Sequence, residues 1–175
     1  MDDRSEANLT SNIFQPFADA VRAADAAFFA ATGFHFVVIF GTRTFAQQHM
    51  LFLQGPSVTK ADAGHSSHNF GMAVDIAPNH NAGDAAFVPD YAVFEADNKT
   101  MTPHWATVVQ CMKAQGLKWG GDWVTMKGDY GHFYVGPDSP NQAMRDAFTS
   151  GGFEAVWDQF ADFPASTASS AAPAS

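Results

Sequence analysis

The sequence predicts an α+β domain in which a small antiparallel sheet is flanked by helices. Three patterns carry that expectation. Phe17, Ala20, Val21, Ala24 and Phe28 recur at helical spacing. Phe34 to Phe40, apolar except for His35, is a run of a length suited to a buried strand. Met72-Ala73-Val74-Asp75-Ile76-Ala77 and His132-Phe133-Tyr134-Val135 alternate in the two-residue period of strands. At 175 residues, 46% of them hydrophobic and 14% aromatic, the chain can bury one sizeable core, while two full domains would be cramped.

Taken in order, the first helix stops at Gly33 and the apolar strand follows. Thr44 to Gln54 returns to helical spacing, with Thr42 or Thr44 as its cap and the Gly55-Pro56 turn as its end. A Gly- and Ser-rich loop then carries His68, and Gly71 leads into the strand from Met72. Pro78 to Pro103 is polar, interrupted by Gly83 and Pro89, and reads as a long excursion placed to rim a cleft. A helix from Pro103 to Gln115 ends at Gly116. After the last strand, Ser139-Pro140 is a good cap and first turn for a helix to Phe148, and Gly151-Gly152 separates it from an amphipathic Phe153 to Phe163. The folded domain is therefore expected over residues 1–163. Residues 164–175 contain only Pro, Ala, Ser and Thr, too little apolar surface to order themselves.

Composition removes several classes of function. A formal charge of -9 without a Lys/Arg cluster argues against a nucleic-acid partner. No stretch is long and apolar enough to insert in a membrane. Cys111 is the only cysteine, so neither an internal disulfide nor a thiolate zinc cluster can form, and its helical setting suits a small buried hydrophobe. Met1 to Glu6 is charged and lacks the apolar run of a signal peptide, so synthesis and retention in the cytoplasm are expected.

Two segments carry chemistry. Ser66 to Asp75 and Asp129 to Phe133 together supply two imidazoles, a carboxylate and a spare acid. A catalytic zinc takes three protein ligands from His and Asp or Glu and leaves a fourth position for water, whose pKa it lowers. The expected ligands are His68, Asp75 and His132. On its strand, Asp75 shares a face with Ala73 and Ala77, opposite Met72, Val74 and Ile76, so small neighbours leave room for an ion. His132 shares a face with Tyr134, while Phe133 and Val135 turn inward. His35, His49, His80 and His104 have no ligand spacing to these segments.

Four motifs in order carry a resemblance. Ser66, His68, Gly71, Ala73 and Asp75 satisfy Ser-x-His-x-x-Gly-x-Ala-x-Asp, and Asp129 stands three residues before His132. Thr42-Arg43-Thr44 followed by Gln47-Gln48 is similar to a Tyr-Arg-Ser/Thr run followed by Gln, and Trp119 to Trp123 is an intact Trp-Gly-Gly-Asp-Trp. Through these the chain resembles, from about Leu9 to Phe133, the zinc peptidases of bacterial cell walls that include D-Ala-D-Ala carboxypeptidases and phage L-alanyl-D-glutamate endopeptidases. The Trp-Gly-Gly-Asp-Trp run is closer to the endopeptidase branch. Thr42, Gly131 and Tyr134 depart from the family's usual aromatic, Pro and acidic or amide residues, which bears on substrate preference more than on catalysis.

The resemblance implies a hedgehog/D-Ala-D-Ala peptidase-like domain with one Zn2+ in a cleft and a peptidoglycan stem peptide as partner. It implies hydrolysis by an L-alanyl-D-glutamate endopeptidase acting as a phage endolysin, which reaches the wall once another protein has opened the membrane; a monomer is expected. Asp129 would be the general base, against the plainer reading of a turn acid. Arg43 would hold substrate or a developing oxyanion, against a purely structural brace. Ser66, Gln48, Trp123 and Asp122 would face substrate; Ser66 reads otherwise as a loop cap, Gln48 as a polar helix residue, Trp123 as cleft wall, and Asp122 as a turn residue or an acid orienting a ligand. His65, three residues before His68, competes as a ligand, but its place ahead of the motif suits a solvent-facing or supporting role. The rival activities are a D,D-carboxypeptidase on the same scaffold and a catalytically silent zinc- or wall-binding module. Asp129 beside three ligands argues against the silent module, which has no need of a base.

Overall fold

In the computed structural model, which describes residues 1–81, 88–124 and 128–163, the strands are β1 (Phe36–Phe40), β2 (Ala73–Pro78), β3 (Lys118–Trp119) and β4 (His132–Tyr134). They form one four-stranded sheet in the order β1-β2-β4-β3, with every pairing antiparallel. The helices are α1 (Asp3–Asn8), α2 (Gln15–Thr32), α3 (Phe45–Phe52), α4 (Pro103–Ala114) and α5 (Gln142–Trp157). This is the α+β arrangement that the sequence predicts. The expected disordered tail, from Pro164, lies outside the described residues.

The helical and strand periods meet in one core. Phe17, Val21 and Phe28 of α2 and Trp105, Val108 and Met112 of α4 join Val74, Ile76 and Phe133 of the sheet, all of them buried. Each such side chain contributes about 1.5–3 kcal/mol when fully buried. Because strand side chains alternate, filling this face with Val74, Ile76 and Phe133 sends Asp75 and His132 to the other. The site is thus a by-product of how the core is patterned.

Local chemistry sets the element ends. α2 stops where Gly33 takes a left-handed conformation (φ 75°) and its N–H donates to the Phe29 carbonyl at 2.8 Å. β1 begins later than the apolar run because Asp25 holds the preceding turn, accepting from Phe36 N at 3.1 Å and pairing with His35 Nδ1 at 2.7 Å. Thr44, not Thr42, caps α3: it closes a capping box with Gln47, while the Thr42 hydroxyl donates to the Asn12 carbonyl. Asn141, not Ser139, caps α5 by accepting from Met144 N at 3.0 Å. The expected break in that last helix falls at Gly152, whose φ of 68° and ψ of -151° interrupt it.

Two elements escaped the sequence reading. α1 lies along the outer edge of β1, where Ser5 Oγ accepts from Val38 N and Asn8 Nδ2 donates to Val38 O, each at 2.9 Å. It thereby covers an edge that would otherwise expose unpaired backbone groups. β3 ends on the first Trp of the Trp-Gly-Gly-Asp-Trp motif and pairs with β4. Among the described residues no helix is long and apolar enough to cross a membrane.

Candidate metal centre

Asp75 and His132 face each other across β2 and β4 as directly paired residues, so their side chains emerge side by side from one face. His68 comes from a short 3-10 turn, Ser67–Phe70, that closes at Gly71 and enters β2. Gly71 is required twice over: its φ is +66°, and a Cβ there would stand 2.1 Å from the Asn12 carbonyl oxygen. The turn is anchored by Phe70, whose ring packs on Phe45 and Phe148 and whose carbonyl accepts from Trp157 Nε1 at 2.8 Å.

Three ligand atoms converge. His68 Nε2, His132 Nδ1 and Asp75 Oδ1 form a triangle with each side 3.2 Å. A tetrahedral zinc with bonds of about 2.0–2.1 Å spaces its ligands about 3.3 Å apart, which these atoms match. Two imidazole nitrogens and a carboxylate oxygen are also a donor set that suits zinc with one position left open. No other group of His, Cys, Asp and Glu among the described residues is close enough to hold an ion.

The far atom of every ligand is occupied as well. His68 Nδ1 donates to the Gly41 carbonyl at 2.7 Å; a carbonyl only accepts, so Nε2 is left with its lone pair facing the centre. His132 Nε2 lies 3.3 Å from Ser67 Oγ. Asp75 Oδ2 pairs with the Arg43 guanidinium. Burial pushes the His68 imidazole below its ordinary pKa despite the nearby Asp75 carboxylate. Burial alone would raise Asp75, but the two imidazoles and their hydrogen bonds outweigh it and hold the carboxyl well below the usual range. At neutral pH the centre therefore offers an ionised carboxylate and a neutral His68, which is the protonation state a cation requires.

The centre opens into a cleft of about 810 Å3. Its lining is mixed, with Phe40, Phe52 and Val58 as apolar residues and Trp123, Asp129 and Asp138 among the others. Asp129 lies in the turn before β4, its carbonyl accepting from His132 N at 3.3 Å. It keeps an exposed edge in the cleft, yet the protein around it removes enough water to push its carboxyl up, against the pull of His132. Gly120 makes this turn possible, because a Cβ there would lie 2.5 Å from the Asp129 carbonyl oxygen and 3.1 Å from His132 Cβ. Trp119 completes the contact by donating from Nε1 to the Tyr130 carbonyl at 2.7 Å.

The other expected site residues divide. Ser66 and Trp123 line the cleft. The Trp123 ring lies 5.1 Å from His132, and its Nε1 donates to Tyr134 Oη at 2.7 Å. Arg43 lines the cleft too, with its guanidinium over the Phe40 ring. Gln48 is fully buried: it donates to the Ala61 carbonyl at 2.7 Å and accepts from Arg43 at 3.5 Å, so it braces Arg43 and the loop from Thr59 to Ala61 without reaching the open cleft. Asp122 is bonded to Lys113 Nζ at 2.9 Å and lines a second cavity of about 470 Å3, which shares Trp123 and Asp138 with the cleft. It is not among the residues that line the cleft itself. His65 lines the cleft but lies outside the ligand triangle. The excursion from Pro78 to Pro103 supplies none of the cleft-lining residues among those described; Pro56 to Asp62 build that rim instead. Ser67, which occupies a variable position of the motif, was missed because nothing in its spacing marks it.

Comparison with known proteins gives consistent results. Residues 59–135 match the profile of a family described as D-alanyl-D-alanine carboxypeptidase. The chain is 35% identical over 126 residues to the peptidoglycan L-alanyl-D-glutamate endopeptidase CwlK of Bacillus subtilis (strain 168), an alignment spanning 69% of this chain and 70% of that protein. The crystal structure of the Serratia marcescens L-Ala D-Glu endopeptidase ChiX superposes with a TM-score of 0.53 at 25% identity, covering 78% of this chain and 89% of that one.

Proposed function

The chain belongs to the family of D-alanyl-D-alanine carboxypeptidases and peptidoglycan L-alanyl-D-glutamate endopeptidases, and we propose that it is a zinc-dependent endopeptidase that cleaves the L-alanyl-D-glutamate bond of peptidoglycan stem peptides. The observation that carries the zinc reading is the triangle of His68 Nε2, His132 Nδ1 and Asp75 Oδ1, each side 3.2 Å, with the far atom of each ligand already bonded. The choice of bond is supported by CwlK and ChiX, both of which are L-Ala–D-Glu endopeptidases. An endolysin role and a monomeric state belong to the same proposal.

Zinc held by these three atoms would polarise the scissile carbonyl and make water a competent nucleophile near neutral pH. Asp129, on the same cleft, takes a proton from the attacking water and delivers it to the nitrogen of the leaving D-glutamyl residue, so that the amide C–N bond breaks with the charge balanced. Arg43 fixes Asp75 through Oδ2, which leaves Oδ1 turned to the centre, and its positive charge lies in the cleft where an oxyanion develops. Ser66 offers a hydroxyl to the peptide backbone, and Trp123 walls the cleft beside His132.

Metal removal tests the dependence. Dialysis against a strong chelator is expected to abolish peptide release from purified peptidoglycan, and one equivalent of zinc to restore it. Hydrolysis that continues undiminished in the chelated protein would rule out a metal-dependent enzyme.

A further inference from the structure

We propose that Ser67 is a positioning residue that holds His132 by its far ring nitrogen so that Nδ1 stays turned to the metal; the inference rests on the reading of His68, Asp75 and His132 as a metal centre. His68 has no choice of tautomer, because its Nδ1 faces the Gly41 carbonyl. His132 does have one. Its Nδ1 lies 3.2 Å from Asp75 Oδ1 and 3.2 Å from His68 Nε2, so a proton on Nδ1 finds acceptors at once and closes the centre as a hydrogen-bonded, metal-free cluster. Metal binding needs the other form, with Nδ1 bare and the proton on Nε2.

Ser67 Oγ meets that Nε2 at 3.3 Å, and with Nδ1 on the metal the hydroxyl accepts from Nε2–H. Both residues are buried, Ser67 at 4% exposure and His132 at 5%, so an Nε2–H without this hydroxyl would have little water to turn to. The backbone that carries the hydroxyl is also fixed. Ser67 opens the 3-10 turn that carries His68, and its carbonyl accepts from Met72 N at 3.1 Å on the way into β2. Two neighbours in sequence therefore serve the centre differently, His68 as a ligand and Ser67 as the hydroxyl that holds the ligand ring across from it.

The test compares wild type with Ser67→Ala, Ser67→Thr and Ser67→Val, measuring zinc affinity by competition with a chromophoric chelator and folding by thermal melts of the metal-free proteins. Loss of a ligand's hydrogen-bond partner costs roughly 10–100-fold in metal affinity. Ser67→Ala and Ser67→Val are expected to weaken zinc binding by that factor, while Ser67→Thr stays within a few-fold of wild type. The Thr and Val variants share a shape and differ in the hydroxyl, so their comparison holds even if Ser67→Ala folds poorly. In the zinc-loaded protein, the His132 Nε2–H resonance should be protected from exchange in wild type and Ser67→Thr, and exchange fast in Ser67→Val. Equal zinc affinity in the Thr and Val variants would overturn the proposal. A wild-type protein that binds no zinc would instead overturn the metal reading beneath it.

Discussion

Replacing His68, Asp75 or His132 by alanine is expected to reduce zinc well below one per chain and to remove hydrolysis with it. Each change deletes one corner of the 3.2 Å triangle and leaves two donors, too few for a closed protein site. The loss should exceed the roughly 10–100-fold expected when a ligand merely loses its hydrogen-bond partner. Asp75→Ala should be the most severe, because it also releases the Arg43 guanidinium from its carboxylate and leaves a positive charge beside the vacated corner. His65→Ala is the matched control: it removes an imidazole from the same cleft but not from the triangle, and should retain metal. Metal analysis and thermal melts on the same preparations check the set. Full occupancy in His68→Ala, or loss of zinc in His65→Ala, would show that the ligands have been misassigned.

Asp129→Ala should separate chemistry from binding. The carboxylate is not a corner of the triangle, and Gly120 packs against the backbone oxygen and Cβ of Asp129, so both fold and zinc should survive the change. The rate of peptide release should fall by about 10²–10⁴, the usual worth of general acid–base assistance. Asp129→Glu keeps a base on a longer arm and should retain part of the rate. Loss of zinc in Asp129→Ala would make this residue a ligand. An undiminished rate would move the base to another acid that lines the cleft, Asp138, which accepts from Tyr134 Oη at 2.7 Å, or Asp62.

Two corners of the triangle were legible because Asp75 and His132 sit on strands whose two-residue period survives in the sequence, while His68, on a 3-10 turn, was marked by its motif alone. Val74, Ile76 and Phe133 mark the core face, and that alone assigns Asp75 and His132 to the opposite one. What stayed hidden was whatever depends on contact between distant segments. α1 is short and charged, and its place comes from bonds to β1 through Ser5 and Asn8. β3 is too short to show a period and exists through its pairing with β4. The cleft rim was expected from Pro78 to Pro103 because that segment is long and polar, whereas Gln48 pins the loop around Thr59 to Ala61 beside Arg43. Asp122 illustrates the limit of motif reading: its neighbours Trp119, Gly120 and Trp123 serve the site, while its own carboxylate points to Lys113.

The most direct test of the account is mass spectrometry of purified peptidoglycan digested by the zinc-loaded protein. Cleavage of the L-alanyl-D-glutamate bond predicts stem peptides that begin with a free D-glutamyl amine, together with glycan strands that carry L-alanine substituents with free carboxyls. Release of D-alanine from intact stems, without those ends, would contradict it and assign the same centre to D,D-carboxypeptidase chemistry.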